Sequence, residues 1–376
     1  MRVGVDATAF GNRHGDGRFA RNAVRCLVEL DADADYVLLI DEGHASHPDI
    51  PAGAELRPLP LGRGSSAYST RPMRDLVRLV RAAEGFDVLL FPSLVTWFPT
   101  RGTPSVVGLH DANVSKFGSL VLPSQRARAA WRLKQSLALR RADRLFTVSE
   151  SARADLEEHL GLGRDRVEVV PEAPDPVFWP RDGETERTAS FADGEFLLYA
   201  SGINPHKGVE TLLDACAELG RSCPPLVLVG PLEDDEAHSA AEAIRARIDR
   251  LGLKERVLLP GFVDDATLAS LYSTAMLAAV TSLGEGFGLP AVEAAACGAP
   301  VVLSDIPPHR ESMGDAARYF APGDSAALAR KLSELLQDAP LRRELGERGR
   351  RRVRELSWDR SATVLRRLIG EAAGGR

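Results

Sequence analysis

The sequence predicts an α/β protein built from two doubly wound, Rossmann-like domains, and three observations carry that expectation. Short apolar runs alternate with longer stretches of helical period along the whole chain, which is the pattern of parallel strands covered by helices. The count of strands starts afresh after a polar segment near the middle. At 376 residues the chain is also too long for one ordinary hydrophobic core, and chains of this size usually divide in two.

In the first half, residues 2–8, 36–40, 88–91, 105–109, 144–148 and 167–170 read as strands. Between the first two, Phe19, Ala23, Leu27 and Leu30 recur at helical spacing. Residues 60–69 (PLGRGSSAYS) place Gly and Ser where a helix or strand needs side chains. They read as a loop that is either an ordinary surface connection or one that closes over a substrate. Residues 178–194 are polar, charged and broken by Pro and Gly, the composition of an interdomain linker. Beyond it, residues 196–200, 226–229, 257–259, 276–280, 301–303 and 318–320 read as strands, with helices over 209–219 and 237–251. From Leu356 on, Trp358, Val364, Leu365, Leu368 and Ile369 read as one more helix. The expected division is residues 1–180, 195–355 and a closing helix over 356–376, with a cleft between the two domains.

Composition bounds the function. The hydrophobic fraction of 44% and charged fraction of 27% are those of a globular chain with enough apolar material for two cores. A net charge of −6 argues against nucleic acid as a partner, because phosphate backbones require a basic face. Cys26, Cys216, Cys223 and Cys297 follow no metal-ligand spacing and lie in apolar stretches, so they read as reduced and buried. With no signal peptide at the N-terminus and no apolar run near the length of a membrane span, a cytoplasmic protein is expected.

The chemistry concentrates where the apolar run 276–280 meets Thr281-Ser-Leu-Gly-Glu-Gly-Phe-Gly-Leu-Pro290 and a helical run to Cys297. Strand, glycine loop and helix follow in that order. Gly284, Gly286 and Gly288 let the backbone approach a ligand, and Pro290 suits a first helical turn. Free amides at a helix start make an anion site suited to phosphate. Glu285 and Glu293 flank it. A carboxylate repels phosphate, so the pair makes sense if each faces hydroxyl groups, and a nucleotide sugar carries such groups on both sides of its diphosphate. Glu293 alone could equally be an acid favoured by the helix dipole, which leaves Glu285 among the glycines unexplained.

Here the sequence closely resembles the large retaining glycosyltransferase family 4 of the GT-B fold, glycosyl transferases group 1, whose signature is two glutamates separated by seven residues. The match EGFGLPAVEAAACGAPVV, residues 285–302, is nearly continuous. The resemblance implies two facing Rossmann-like domains, an N-terminal one for the acceptor and a C-terminal one for the nucleotide sugar, with the last helix crossing back onto the first. It implies that Glu285 contacts the hexose hydroxyls and Glu293 the ribose. Gly286 belongs to the same loop, and the amides of Phe287, Gly288 and Leu289 hold the sugar and phosphate.

A second anion site is expected where residues 196–200 lead into Ser201-Gly202-Ile-Asn-Pro-His206-Lys207-Gly208. Lys207, a flexible point charge after a glycine turn, suits a departing diphosphate. Ser201 and Gly202 line the same turn. Many family members carry an arginine where Gly202 stands, so His206 or Arg18 would compensate, or Lys207 works alone. In the first half His110 closes an apolar run with Asp111 beside it to orient its ring, and family members carry a similar His-Asp near the reacting sugar. That assigns His110 a catalytic role alongside Glu285 and Lys207. Gly15, Gly17 and Arg18, in the turn after the first strand, resemble a glycine-rich turn beside the donor phosphates, against the plain reading of a helix start. Pro231 ends one strand of the second half. Phe262 and Val263 follow another and, by resemblance, touch the nucleobase.

The expected activity is therefore retaining transfer of a hexose, of mannosyl or rhamnosyl type, from a nucleotide-diphosphate sugar to a hydroxyl. The acceptor is a glycan, a lipid-linked molecule or a small molecule, and neither cofactor nor metal is expected. Domain closure would bring donor and acceptor together, and the leaving phosphate would take the acceptor proton. Asp234-Asp235 and Asp264-Asp265 read as turn acids rather than metal ligands. Residues 125–144, rich in arginine around Trp131, read as a solvated helix or as a basic face touching anionic lipid, which would place the protein peripherally at the inner membrane face. Two other readings compete. Gly15-x-Gly17-x-x-Ala20 with Asp41 mimics a dinucleotide fingerprint and would make an NAD-dependent oxidoreductase, but its first glycine comes several residues after the strand. A catalytically silent sugar-nucleotide-binding protein on the same fold is the other.

Overall fold

The computed structural model describes residues 1–12, 14–62, 71–179, 195–231 and 238–375. They form two compact units, Met1–Glu172 with Ser357–Arg376, and Ala173–Leu356.

The first unit is a seven-stranded sheet of β1 (Arg2–Asp6), β2 (Asp35–Asp41), β3 (Glu55–Leu59), β4 (Val88–Phe91), β5 (Ser105–Gly108), β6 (Arg144–Thr147) and β7 (Val167–Val169), in spatial order β3-β2-β1-β4-β5-β6-β7. All neighbours pair parallel. Strands covered on both faces need apolar side chains on both, and the four residues of β4 are all buried. β3 escapes sequence reading because it is an edge strand, Glu-Leu-Arg-Pro-Leu, with no fully buried residue. An edge tolerates the polar residues and the proline that an inner strand does not. The helix Gly15–Leu30 buries Phe19, Ala23 and Leu27, as their spacing requires. Leu30, expected on that face, is 44% exposed, because the helix ends there and its last turn runs past the core.

The C-terminal helix Trp358–Gly374 belongs to this unit and packs on Gly15–Leu30. Trp358, Leu365, Leu368 and Ile369 are buried, and the Trp358 ring meets Phe19 edge-on at 5.8 Å. Burial of such side chains contributes about 1.5–3 kcal/mol each. Around that seam Arg366 pairs with Asp31 at 3.5 Å and Arg367 with Glu168 at 3.0 Å.

The second unit repeats the plan with β8 (Leu197–Ala200), β9 (Leu226–Val229), β10 (Val257–Gly261), β11 (Leu277–Val280), β12 (Val301–Ser304) and β13 (Arg318–Phe320), in order β10-β9-β8-β11-β12-β13 and again all parallel. Helices Val209–Leu219 and His238–Arg250 stand where the sequence puts them. One expectation is corrected at the edge of the second unit. Phe178, read as the start of a linker, is fully buried, with its ring 6.0 Å from Tyr272 and its carbonyl accepting from Cys297 Sγ at 3.1 Å. A phenylalanine next to polar residues still goes inside when a core pocket is in reach. Residues 63–69 of the expected loop, 180–194 of the expected linker, and Asp234-Asp235 lie outside the described residues.

In both sheets the strand order reverses at one place, between β1 and β4 and between β8 and β11. Chain segments leaving these neighbours turn to opposite faces and open a crevice at the carboxyl ends, where doubly wound sheets bind ligands.

Candidate functional site

The reversal point of the second sheet collects the residues that the sequence singles out. After β8 the chain runs through Ser201 and Gly202 into the one-turn helix Pro205–Lys207. After β11 it enters the loop that carries Glu285. Lys207 Nζ lies 2.8 Å from both carboxylate oxygens of Glu285, and Ser282 Oγ donates to Glu285 Oε1 at 2.6 Å. The lysine side chain is 18% and the glutamate side chain 9% exposed, so the pair is largely withdrawn from water. Burial alone would raise the Glu285 carboxyl. The Lys207 ammonium, His309 and the hydrogen bonds from Lys207 and Ser282 outweigh it and hold the group below the usual carboxylate value.

A buried carboxylate with this much support stays ionised. Glu285 therefore presents a charged acceptor beside the lysine. Gly202 flanks the stem of Lys207: a Cβ placed on it would lie 3.7 Å from Lys207 Cγ, an ordinary contact. A side chain at 202 would run alongside the lysine, and this chain leaves that place to backbone. His206, proposed above as a substitute, is 5% exposed, and its carbonyl accepts from Leu283 N at 2.8 Å.

The helix Leu289–Ala296 opens at Gly288, whose φ of 95° lies in the left-handed region that favours glycine. A Cβ there would also meet His309 Cδ2 at 2.9 Å. Pro290, which has no N–H, occupies the first turn, and the Ala291 and Val292 amides donate back to the Gly288 carbonyl at 3.0 and 3.4 Å. Glu293 stands in the same helix at 3% exposure. Pro231 is buried after β9, whereas Phe262, following β10, is 38% exposed with Val263 beside it. Two strands separate β10 from β11, so Phe262 and Val263 share the carboxyl edge of the sheet with Lys207 and Glu285 without joining their cluster.

Three residues of this site escaped the sequence reading. Ser304 Oγ donates to the Ser282 carbonyl at 2.5 Å, and His309 Nδ1 lies 2.9 Å from the Ser304 carbonyl. A carbonyl can only accept, so Nδ1 carries the proton and Nε2 a lone pair. That Nε2 is buried without a partner, against Gly288. Burial pushes the His309 ring below the ordinary histidine pKa, against the pull of Glu285. Ser282 was legible only as a neighbour of Glu285, and nothing local marks Ser304 or His309.

His110, Gly15, Gly17 and Arg18 belong to the first unit. His110 Nε2 donates to the Pro92 carbonyl at 2.8 Å, and its ring stands edge-on to Phe19 at 4.7 Å. Burial lowers its pKa, opposed by the charges of Asp16 and Asp111, so the ring is neutral near pH 7. Asp111, expected to orient that ring, accepts from Asn113 N at 2.8 Å. Gly17 packs against its own turn, where a Cβ would come within 2.0 Å of the Asn12 carbonyl. Arg18 is 7% exposed. Arg21 ties the turn together through the carbonyls of Phe10 at 2.7 Å and Asn12 at 2.8 Å. The dinucleotide reading fails on this geometry: β1 ends at Asp6, the helix begins at Gly15, and Asp41 accepts from Gly43 N at 2.8 Å to cap a short turn. Asp264 likewise caps the helix Asp265–Thr274 by accepting from Thr267 N.

Known proteins share both halves of this plan. A family model described as glycosyl transferases group 1 matches residues 181–352, and one described as a glycosyl transferase 4-like domain matches residues 14–173. The serotype-specific mannosyltransferase WbdA of Escherichia coli is 32% identical over 232 residues, 59% of this chain, and the chain spans only 28% of that protein's length. A D-inositol 3-phosphate glycosyltransferase of Salinispora arenicola is 30% identical over 317 residues, 78% of this chain and 70% of the relative. Among solved structures, Anabaena HepE in complex with UDP and glucose superposes with a TM-score of 0.74 at 20% identity, over 98% of this chain and 99% of the other, which shows a shared fold. With two doubly wound units and relatives along most of its length, the chain belongs to the group 1 glycosyltransferases, on the GT-B fold.

Proposed function

We propose that the protein transfers a hexose, of mannosyl or rhamnosyl type, from a nucleotide-diphosphate sugar to an acceptor hydroxyl, with retention of configuration. The observation that carries this reading is the Lys207–Glu285–Ser282 cluster at the reversal point of the second sheet, next to a helix that opens on a left-handed glycine. Lys207 and the amides of Phe287, Gly288 and Leu289 meet the diphosphate, Glu285 the hexose hydroxyls and Glu293 the ribose. Ser201, Gly202, Gly286 and Pro231 line the site, and Phe262 and Val263 meet the base. His309 Nε2 presents a lone pair, which suits a sugar hydroxyl better than a phosphate.

In the transfer the bond from the anomeric carbon to the diphosphate oxygen breaks and a bond to the acceptor oxygen forms on the same face. The acceptor proton leaves with the diphosphate. Lys207 neutralises the charge that develops on the leaving group, the role a metal ion would otherwise fill, so we assign no metal and no cofactor. His110 and the turn carrying Gly15, Gly17 and Arg18 are the first unit's share of the machinery. The WbdA relative is a mannosyltransferase and the HepE structure holds UDP and glucose, which supports a nucleotide-sugar donor and a glycan acceptor; a lipid-linked or small-molecule acceptor is kept as part of the proposal.

A thermal-shift screen against UDP, GDP and TDP sugars tests the donor. A stabilisation of roughly 2–4 kcal/mol at saturating ligand is expected, and no response to any nucleotide sugar would reject the reading.

We further propose a peripheral contact with anionic membrane, in keeping with a cytoplasmic protein whose four cysteines are free. Among the described residues no helix is long and apolar enough to cross a membrane. The helix Gln125–Arg141 buries only Gln135 and Ala138, and it exposes Leu133 (63%) and Leu137 (37%) among Arg126, Arg132 and Arg140. Co-sedimentation with phosphatidylserine vesicles that Leu133→Ser and Leu137→Ser abolish is the expected result.

A further inference from the structure

Lys207 carries the charge on which the transfer depends, and the turn that bears it is too short to hold itself in place. The helix Pro205–Lys207 is a single turn, closed by Lys207 N donating to the Asn204 carbonyl at 2.8 Å and Gly208 N to the Pro205 carbonyl at 3.1 Å. One turn fixes several dihedral angles for very few hydrogen bonds, so it is not stable alone. Its position has to come from outside.

Two buried hydroxyls supply it. Thr281, fully buried just after β11, donates from Oγ1 to the Lys207 carbonyl at 3.0 Å. Tyr199, fully buried in β8, donates from its hydroxyl to the Gly202 carbonyl at 2.7 Å, and the same oxygen lies 3.5 Å from the Lys207 carbonyl. Burial and the Glu285 charge push the Tyr199 phenol well above its ordinary pKa, so it keeps its proton and donates. Gly208 leaves the turn at a φ of 66°, and a Cβ on it would come within 2.3 Å of the Thr281 carbonyl, so the turn lies directly against the chain leaving β11. Leu283 N adds a bond to the His206 carbonyl at 2.8 Å.

These contacts stitch the loop after β8 to the loop after β11 that carries Glu285. The backbones of Lys207 and Glu285 are thereby held relative to each other independently of the ion pair between their side chains. That matters once a diphosphate competes with Glu285 for the ammonium. The lysine stem has four rotatable carbons, and the volume its charge can reach is set by where its backbone is fastened. For packing alone, valine and phenylalanine would fill the places of Thr281 and Tyr199. A buried hydroxyl is costly unless paired, and both of these are paired with carbonyls of the one turn that bears the charge.

We infer that Thr281 and Tyr199 are positioning residues of the transfer: their hydroxyls hold the Gly202–Lys207 turn so that the Lys207 ammonium stands where the departing diphosphate develops its charge. This rests on the glycosyl-transfer reading and adds to it two residues that act through Lys207.

The test uses the full chain and follows donor hydrolysis without acceptor on UDP, GDP and TDP sugars. Thr281→Val and Tyr199→Phe keep the packing volume and remove only the hydroxyl. Each should lower kcat about tenfold, which is about 1.4 kcal/mol and the size of one buried hydrogen bond. The donor KM should move by less than about threefold, because the interaction lost is one made in the transition state. Thr281→Ser restores the hydroxyl and should recover most of the loss. Added to Lys207→Met, the same two substitutions should change kcat by less than about twofold, since nothing is left for them to position. A kcat within about twofold of the unsubstituted protein for both variants overturns the inference, and so do equal losses with and without Lys207, the mark of a packing defect.

Lysine spectra give a second reading that needs no nucleotide. The chain has five lysines, so lysine isotopically labelled at Cε gives a short spectrum in which Lys207→Met identifies the Lys207 signal. Thr281→Val and Tyr199→Phe should move that signal in the direction that Glu285→Gln moves it and leave the others in place. An unmoved Lys207 signal overturns the proposal. Should Thr281→Val fail to fold by circular dichroism, the Tyr199→Phe arm decides. No turnover on any of the sugars rejects the glycosyl-transfer reading, and the lysine signal then still decides whether the two hydroxyls place Lys207.

Discussion

Replacing Lys207 by methionine removes the cation and keeps the stem, and the structure gives the size of the effect. The ammonium sits 2.8 Å from each Glu285 oxygen, and at an effective dielectric constant of about 20 the gross attraction is about 6 kcal/mol. Most of that is offset by the cost of withdrawing both groups from water. What the substitution exposes is the other half of the pair: Glu285 keeps the Ser282 hydroxyl but loses its counter-charge at 9% side-chain exposure. Breaking a buried pair in this way costs about 3–5 kcal/mol.

Glu285→Gln should cost less, about 1–2 kcal/mol, because it leaves a neutral amide and the long lysine can turn toward solvent. Making both changes removes both charges and should cost no more than about 2 kcal/mol, a coupling near 3 kcal/mol. Hydrogen exchange followed by mass spectrometry, read on peptides of the second unit alone, measures each corner of the cycle. Additivity within about 0.5 kcal/mol would refute the argument, since uncoupled residues add within that margin. The pH dependence has a defined sign. A carboxyl held below its unfolded value stabilises above that value, and the contribution is lost as pH falls through the folded one. Glu285→Gln should flatten that acid limb.

Other expectations follow from the same geometry. Glu293→Ala should weaken donor binding and Glu285→Ala should lower turnover, and wild-type constants for both in a donor titration and a transfer assay would contradict their assigned roles. Gly288→Ala forces a left-handed residue and a 2.9 Å approach to His309, so it should destabilise the second unit by about 1–3 kcal/mol and depress nucleotide binding more than Gly284→Ala does. His110 has a folded pKa below the ordinary histidine value. The unfolded chain therefore takes up its proton first, and stability falls as pH drops below about 6.5, by at most about 1.4 kcal/mol per unit. In hydrogen exchange on the first unit at pH 7.5 and 5.5, His110→Gln should shrink the difference, and an unchanged difference would show that the ring does not carry it. Leu365→Ala, at a fully packed seam, should cost about 2–5 kcal/mol by thermal unfolding.

What the sequence by itself determined was everything that periodicity, glycine placement and a contiguous motif can encode. Twelve of the strands, the helix that ends the chain, and Lys207, Glu285 and Glu293 at their loops are all local patterns: an inner parallel strand must be apolar throughout, and a phosphate turn must place its glycines and charges within a few residues. The edge strand Glu55–Leu59 broke the first rule because one side of it has no neighbour, and Phe178 broke the composition of its surroundings because a core lay within reach. Tertiary contacts alone bring Lys207 and Glu285 together so that they neutralise each other, set Ser304 and His309 to brace the same loop, and join Arg71 to Thr8 and Asp6 in the first unit. Those meetings join segments tens of residues apart across the point where each sheet reverses its order, and no window of sequence contains both partners of such a pair.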